Sequence, residues 1–211
     1  MEALPGPLVP WVGKDVRVRM MLDSSSCGSV PHTENPKASR LFLDYLYDFE
    51  KVSSFYQYSP FHPGSYWALS KQLDYPDARK KILCSILREQ NQEFSCGEST
   101  LSNINRLAEP GTFAVVTGQQ VGLFSGPSFA LYKALTTVRL AAYLSEEGIP
   151  SVPVFWAATE DHDLDEVSTC NMLDSQYKLI TLRASGERPS PKCSVGQVQI
   201  PPSVEEILLQ V

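Results

Sequence analysis

Residues 113 to 166, FAVVTGQQVGLFSGPSFALYKALTTVRLAAYLSEEGIPSVPVFWAATEDHDLDE, do most to limit how this chain can fold. Two short apolar runs flank a long helical stretch, with glycines at 118, 122 and 126 after the first run and a burst of acid after the second. Short runs rich in β-formers suit buried parallel strands, and joining two parallel strands requires a crossover long enough to hold a helix. The order predicts a β-α-β unit, and with it an α/β domain on a Rossmann-like parallel sheet whose polar chemistry gathers at one end.

The first strand is predicted over Phe113 to Val116, passing directly into a glycine-rich loop formed by Thr117, Gly118, Gln119, Gln120, Gly122 and Gly126. Glycine lets the backbone turn sharply and approach a ligand closely, and Pro127 suits the first turn of a helix. The free amides of that turn favour an anion such as phosphate or carboxylate. The loop matches neither GxxxxGK[ST] nor GxGxxG, so it specifies no particular nucleotide. The following helix is expected from Pro127 to about Glu146, burying Leu131, Leu135, Val138 and Ala142, with Ala134 and Ala141 allowing close approach to the sheet. Lys133 lies about 9 Å along its axis. Helical side chains lean toward the N-terminus, so its ammonium can reach an anion at the loop, although a solvated lysine fits the same spacing.

Val152 to Ala158 forms the second strand, and Glu160, Asp161, His162 and Asp163 stand just beyond its carboxyl end. Ligands of open parallel sheets bind in the crevice outside those ends. A carboxylate there can orient His162 as a general base, hold the ammonium of an amine substrate, or contribute to a divalent-metal site. No HExxH or Cys/His set accompanies the cluster, and no metal centre is predicted. Asp165 and Glu166 suit a helix N-terminus, where each acid is favourable by about 0.3 to 1 kcal/mol. Nothing local lowers the thiol pKa of Cys170 or Cys193 enough to make either a nucleophile.

Upstream the pattern is helical. Asn35 and Pro36 suggest a helix start, followed by Leu41, Tyr45, Phe49 and Val52 at spacings of three or four. The aromatic residues from Phe42 to Tyr58 read as packing rather than a ligand box. A break at residues 58 to 64 precedes a helical piece over Ser65 to Leu73. Asp74 opens another helix with Ile82, Leu83, Ile86, Leu87 and Phe94 as its buried face, and Ser99 caps a shorter one carrying Leu101, Ile104 and Leu107. Downstream, Leu179 to Arg183 and Val195 to Ile200 read as strands. The expected division is a poorly ordered leader at 1–34, a helical flank at 35–110, the Rossmann-like core at 111–175, and a connecting segment at 176–211 that ends at the start of a helix. In that reading the parallel sheet is incomplete within this chain.

A net charge of −6 argues against a surface built to neutralise nucleic-acid phosphates. The five cysteines are odd in number and none stands at CxxC spacing, so a disulfide framework is disfavoured and a reducing cytoplasm is the expected compartment. Neither an export signal nor a membrane span is indicated.

Thr117-Gly118-Gln119-Gln120, Gly122-Leu123-Phe124, Gly126-Pro127, Tyr132-Lys133-Ala134 and Pro153-Val154-Phe155-Trp156 with Glu160-Asp161-His162-Asp163 together resemble the cysteine ligases of bacillithiol biosynthesis, the BshC or YllA-type proteins. Leu43 to Phe49 is similar too. The resemblance implies a Rossmann-type core, addition of L-cysteine to glucosaminyl-malate by amide formation, ATP as a cosubstrate, and a homodimer held by a helical coiled-coil arm. It also implies a polypeptide at least twice this length. Carried onto these positions, Thr117, Gly118, Gln119, Gln120, Gly122, Gly126 and Pro127 would cradle an anionic group, Lys133 would stabilise its charge, and Glu160 to Asp163 would position an amine or assist proton transfer. A nucleotidyltransferase-like domain acting on another amine, and a noncatalytic interaction fragment, remain the alternatives.

Overall fold

A computed structural model describes residues 31 to 187, 190 and 193 to 208. The leader expected over residues 1 to 30 lies outside the described residues. The chain forms two compact units, one ending at Pro76 and the other beginning at Asp77. The helical flank expected over 35–110 is therefore divided, and its last two helices belong with the sheet.

In the first unit, α1 spans Arg40–Tyr47 and α2 spans Pro63–Ser70. The helix starts at Ser39 rather than Asn35, because the Ser39 hydroxyl accepts from the Phe42 amide at 3.2 Å while Asn35 closes a local turn onto Lys37. The aromatic residues pack only in part: Tyr45 sits 5.1 to 5.8 Å from the rings of Phe49, Tyr56 and Phe61. Phe42, Tyr47, Phe55 and Tyr56 are exposed, Phe55 the most.

The second unit runs α3 Asp77–Glu93, α4 Glu98–Ala108, β1 Phe113–Gln120, α5 Ser128–Glu146, β2 Ser151–Ala158, α6 Leu164–Val167, β3 Thr169–Leu173, β4 Leu179–Arg183 and α7 Val204–Leu208. Strands β1 and β2 pair in parallel from Phe113 with Ser151 to Gln120 with Ala158, while β3 and β4 form an antiparallel hairpin. The core lies under the amino end of the parallel pair, where Cys84, Ile104, Leu107 and Val152 meet. Beside it the buried Lys80 ammonium donates to the carbonyls of Glu109 and Thr112 at 3.3 and 2.9 Å, tying α3 to the turn into β1.

Packing selects different helix faces from those expected. Helix α4 buries Ile104 and Leu107 as its spacing predicts. Helix α3 instead buries Lys80 and Cys84 and half-buries Leu87, leaving Ile82, Leu83 and Ile86 exposed, with Phe94 exposed just beyond its end. Helix α5 buries Thr137, Ala141 and Leu144, while Leu131, Leu135, Val138 and Ala142 stay exposed. Both helices carry apolar residues on more than one face, so periodicity alone does not choose between them. A small-residue face lets α5 lie close to the strands, and that face wins.

Strand β1 is twice as long as expected. Thr117, Gly118, Gln119 and Gln120 belong to the ladder, each paired with a residue from Phe155 to Ala158, and only from Val121 does the chain turn away. Pro127 occupies the N-cap of α5 rather than its first turn. Val195 to Ile200 is not a strand: Val195–Gln197 is a 3-10 turn, and a single bridge joins Glu187 to Gln199.

Candidate functional site

The ladder register carries Gln119 and Gln120 to the carboxyl edge of β1, level with Ala157 and Ala158, immediately before the acid loop leaves β2. At the strand end the two glutamine side chains come within reach of each other and each also meets a second partner. Gln119 meets α5 and Gln120 meets the acid loop. Gly118 lets the two strands approach closely here, since an added Cβ would lie 3.3 Å from the Trp156 carbonyl oxygen and 3.4 Å from its Cβ.

Between β1 and α5 the loop folds tightly on itself. A Cβ at Gly122 would come within 2.7 Å of the Gly126 Cα, Gly126 adopts φ 65°, and Phe124 takes the left-handed φ 55°, ψ 40°. The loop rests on the hairpin, where the buried Cys170 Sγ lies 3.9 Å from both the Phe124 and Gly126 carbonyl oxygens. Pro127 supplies no side-chain cap, so the first turn of α5 opens beside the loop without one.

Across the ends of both strands runs a continuous polar chain. Lys133 folds back from α5 so that its ammonium donates to Gln119 Oε1 at 2.9 Å and to the Gly118 carbonyl at 3.2 Å, with the Phe129 ring centroid 5.6 Å away. Gln119 Nε2 donates to Gln120 Oε1 at 3.4 Å, and Gln120 Nε2 donates to Asp161 Oδ2. Asp161 Oδ1 accepts the backbone amides of His162 and Asp163 at 2.6 and 3.1 Å, and His162 Nδ1 lies 3.7 Å from the same oxygen. The Gln120 amide, then the Asp163 and His162 amides, hold the Asp161 carboxyl below the usual carboxylate range. Asp161 is thus an anion fixed in place, while the His162 ring is largely exposed.

The acidic residues divide by task. Only Asp161 joins the polar chain. Asp163 caps α6 by accepting from the Glu166 amide at 3.1 Å, and Asp165 pairs with Arg183 at 2.6 Å. Glu160 is exposed, and among the described residues its carboxylate makes no hydrogen bond or ion pair. Thr117, Gly122, Gly126 and Pro127 shape the strand end and loop through their backbone. Among the described residues no group of three or more His, Cys, Asp or Glu side chains is arranged to hold a metal ion. Burial pushes the Cys84 thiol up, away from reactivity. Phe129 escaped the sequence reading, although its place one helical turn before Lys133 is the signal that could have found it.

Among the described residues, no helix is long and apolar enough to cross a membrane. Residues 28–211 match the family profile described as bacillithiol biosynthesis BshC, N-terminal Rossmann-like domain. A curated relative from Solibacter usitatus named "Putative cysteine ligase BshC" is 43% identical over 178 residues, covering 83% of this chain and 33% of the relative. Relatives of the same name from Salinibacter ruber and Koribacter versatilis are each 34% identical, covering 80% and 86% of this chain and 31% and 34% of their own lengths. The chain spans about a third of the length of these relatives. Shared sequence over nearly the whole chain, with a parallel β-α-β unit at its centre, makes this protein a member of the BshC family, corresponding to its N-terminal Rossmann-like domain.

Proposed function

We propose that this chain provides the Rossmann-like part of an enzyme that joins L-cysteine to the amine of glucosaminyl-malate through an amide bond, with ATP as cosubstrate. The observation that carries the reading is the polar chain from Lys133 through Gln119 and Gln120 to Asp161, which spans the carboxyl ends of both parallel strands. It sets a cation and an anion on either side of one edge. Family membership supports the ligase class through the name its relatives carry.

Each group suits a different part of that reaction. Amide formation from a free carboxylate requires activation, because an oxygen must leave when the amine attacks; ATP supplies the leaving group, and the oxygen departs with the phosphate-containing product. Lys133, with the loop at the start of α5, neutralises the anionic group of the activated species. Asp161, whose pKa is lowered, is a weak base and a good electrostatic hold for the ammonium of the incoming sugar amine. The neighbouring imidazole of His162, whose ring is exposed beside Asp161, takes the proton that the ammonium must lose before attack, acting as a general base.

Mass spectrometry of the full-length protein incubated with L-cysteine, glucosaminyl-malate and ATP tests the proposal. The expected product is the dehydrative adduct of the first two, dependent on Lys133 and Asp161. Absence of that adduct, with all three compounds recovered intact, overturns it. Formation of an adduct with a different amine instead identifies the nucleotidyltransferase-like alternative.

A further inference from the structure

Asp161 can act as a fixed anion only if the loop carrying it is held at the end of β1, and the loop's own hydrogen bonds, from the His162 and Asp163 amides to Asp161 Oδ1, tie it to itself and not to the strand. Residues 159 to 163 form a turn and irregular backbone between β2 and the one-turn helix α6. Beside the Gln120 side chain, a backbone restraint comes from a segment more than thirty residues later. The Val195 amide donates to the Asp161 carbonyl at 2.6 Å, and the next amide, that of Gly196, donates to the Thr159 carbonyl at 3.1 Å. Two consecutive donors therefore grip two carbonyls of the acid loop on either side of Glu160.

The grip is close. An added Cβ at Gly196 would lie 3.2 Å from the Thr159 Cβ and 3.3 Å from its carbonyl oxygen, close enough that Thr159 would have to give by a few tenths of an ångström. Val195 is buried and, with Leu164, Val167 and Val198, lines a small apolar cavity of about 30 Å³ that Leu123 of the glycine loop also borders. Beyond it, Glu187 and Gln199 exchange backbone hydrogen bonds at 3.0 and 3.1 Å, anchoring the far end of the segment to the chain after β4.

We propose that Val195 and Gly196 are positioning residues of the site, a backbone clamp that keeps the Asp161 carboxylate against Gln120. The inference rests on the reading of Asp161 as the amine-holding anion, but the geometry it predicts is measurable without any reaction. Asp161 faces Gln120 from β1 and His162 and Asp163 from its own loop; among the described residues the imidazole is the one ionisable side chain recorded against it.

Gly196→Ala and Gly196→Val in the full chain form a graded test. Hydrogen exchange of the Val195 and Gly196 amides, the two clamp donors, is expected to accelerate by about fivefold when one of the clamp hydrogen bonds is lost, with α4 unchanged. Carboxyl-resolved NMR is expected to show the Asp161 titration midpoint moving upward, further in the valine variant than in the alanine one. Unchanged exchange and an unchanged midpoint in a folded Gly196→Val protein overturn the clamp. If the valine variant does not fold, the same two readouts on Gly196→Ala decide. Loss of ligation with both readouts unaltered would also overturn the clamp, whereas altered readouts without any ligase activity in the parent would sink the functional reading and leave the clamp standing.

Discussion

The two ends of the β1–β2 pair are made of different material. At the amino end, Ser151 and Val152 are each 1% exposed, Thr112 is buried, and the polar atoms are closed off by Lys80, Arg106 and Ser145. At the carboxyl end Trp156 is 61% exposed, and side-chain amides, an ammonium and a carboxylate form an open chain. Both ends satisfy polar groups, but one does so in a sealed core and the other where a ligand can replace a partner. The difference separates groups enclosed by the fold from groups that solvent reaches, where the proposed chemistry is placed.

That separation is open to attack by substitution. Lys133→Ala should remove about 100-fold of ligation, the scale of one donor aimed at developing negative charge, while thermal unfolding stays within a degree or two of the parent. An equal loss of stability would break the distinction, because Lys133 would then belong with the amino-end residues. Lys80→Met should do the opposite. It leaves the Glu109 and Thr112 carbonyls without their donor and should cost about 2 kcal/mol in urea unfolding, with ligation per folded molecule unchanged.

Gln120→Leu has a smaller effect with a definite sign. Removing the largest cause of the depressed Asp161 pKa should raise its midpoint in an NMR titration. A carboxyl whose folded pKa is depressed lends stability that is present above its unfolded pKa and lost as pH falls through the folded one. The parent should therefore lose that contribution only on acidification below the usual carboxylate range, and the variant should show less of it; a midpoint that does not move would detach Gln120 from Asp161. The smallest change belongs to Glu160→Gln, expected to alter stability by less than about 0.5 kcal/mol and ligation by less than about twofold. A larger loss of product would restore Glu160 to the site.

Legibility followed the same division. The β-α-β order, the second strand and the buried face of α4 were readable, since each rests on a single unambiguous period or on punctuation by Gly and Pro. The extent of β1 was misread at Thr117 to Gln120, where glycine and glutamine look like loop until the Phe155 to Ala158 partners supply a ladder. Lys133 was placed near the loop by helix geometry, and its ammonium does contact Gly118 and Gln119. The four residues from Glu160 to Asp163 could not be ranked from sequence, because a helix cap, a surface acid and a site carboxylate look alike until their partners are known.

Hydrophobic period, glycine position and the strand-helix-strand order are local properties of the chain, and they sufficed for the class of fold and for the strand ends where the candidate site was expected. Tertiary structure alone decided that α5 turns its small residues to the sheet, that Asp161 is the one acid in the polar chain, and that Val195 and Gly196 return to grip its loop. Those outcomes depend on contacts between residues far apart in sequence, whose geometry is fixed only when the backbone of one element closes on the backbone of another.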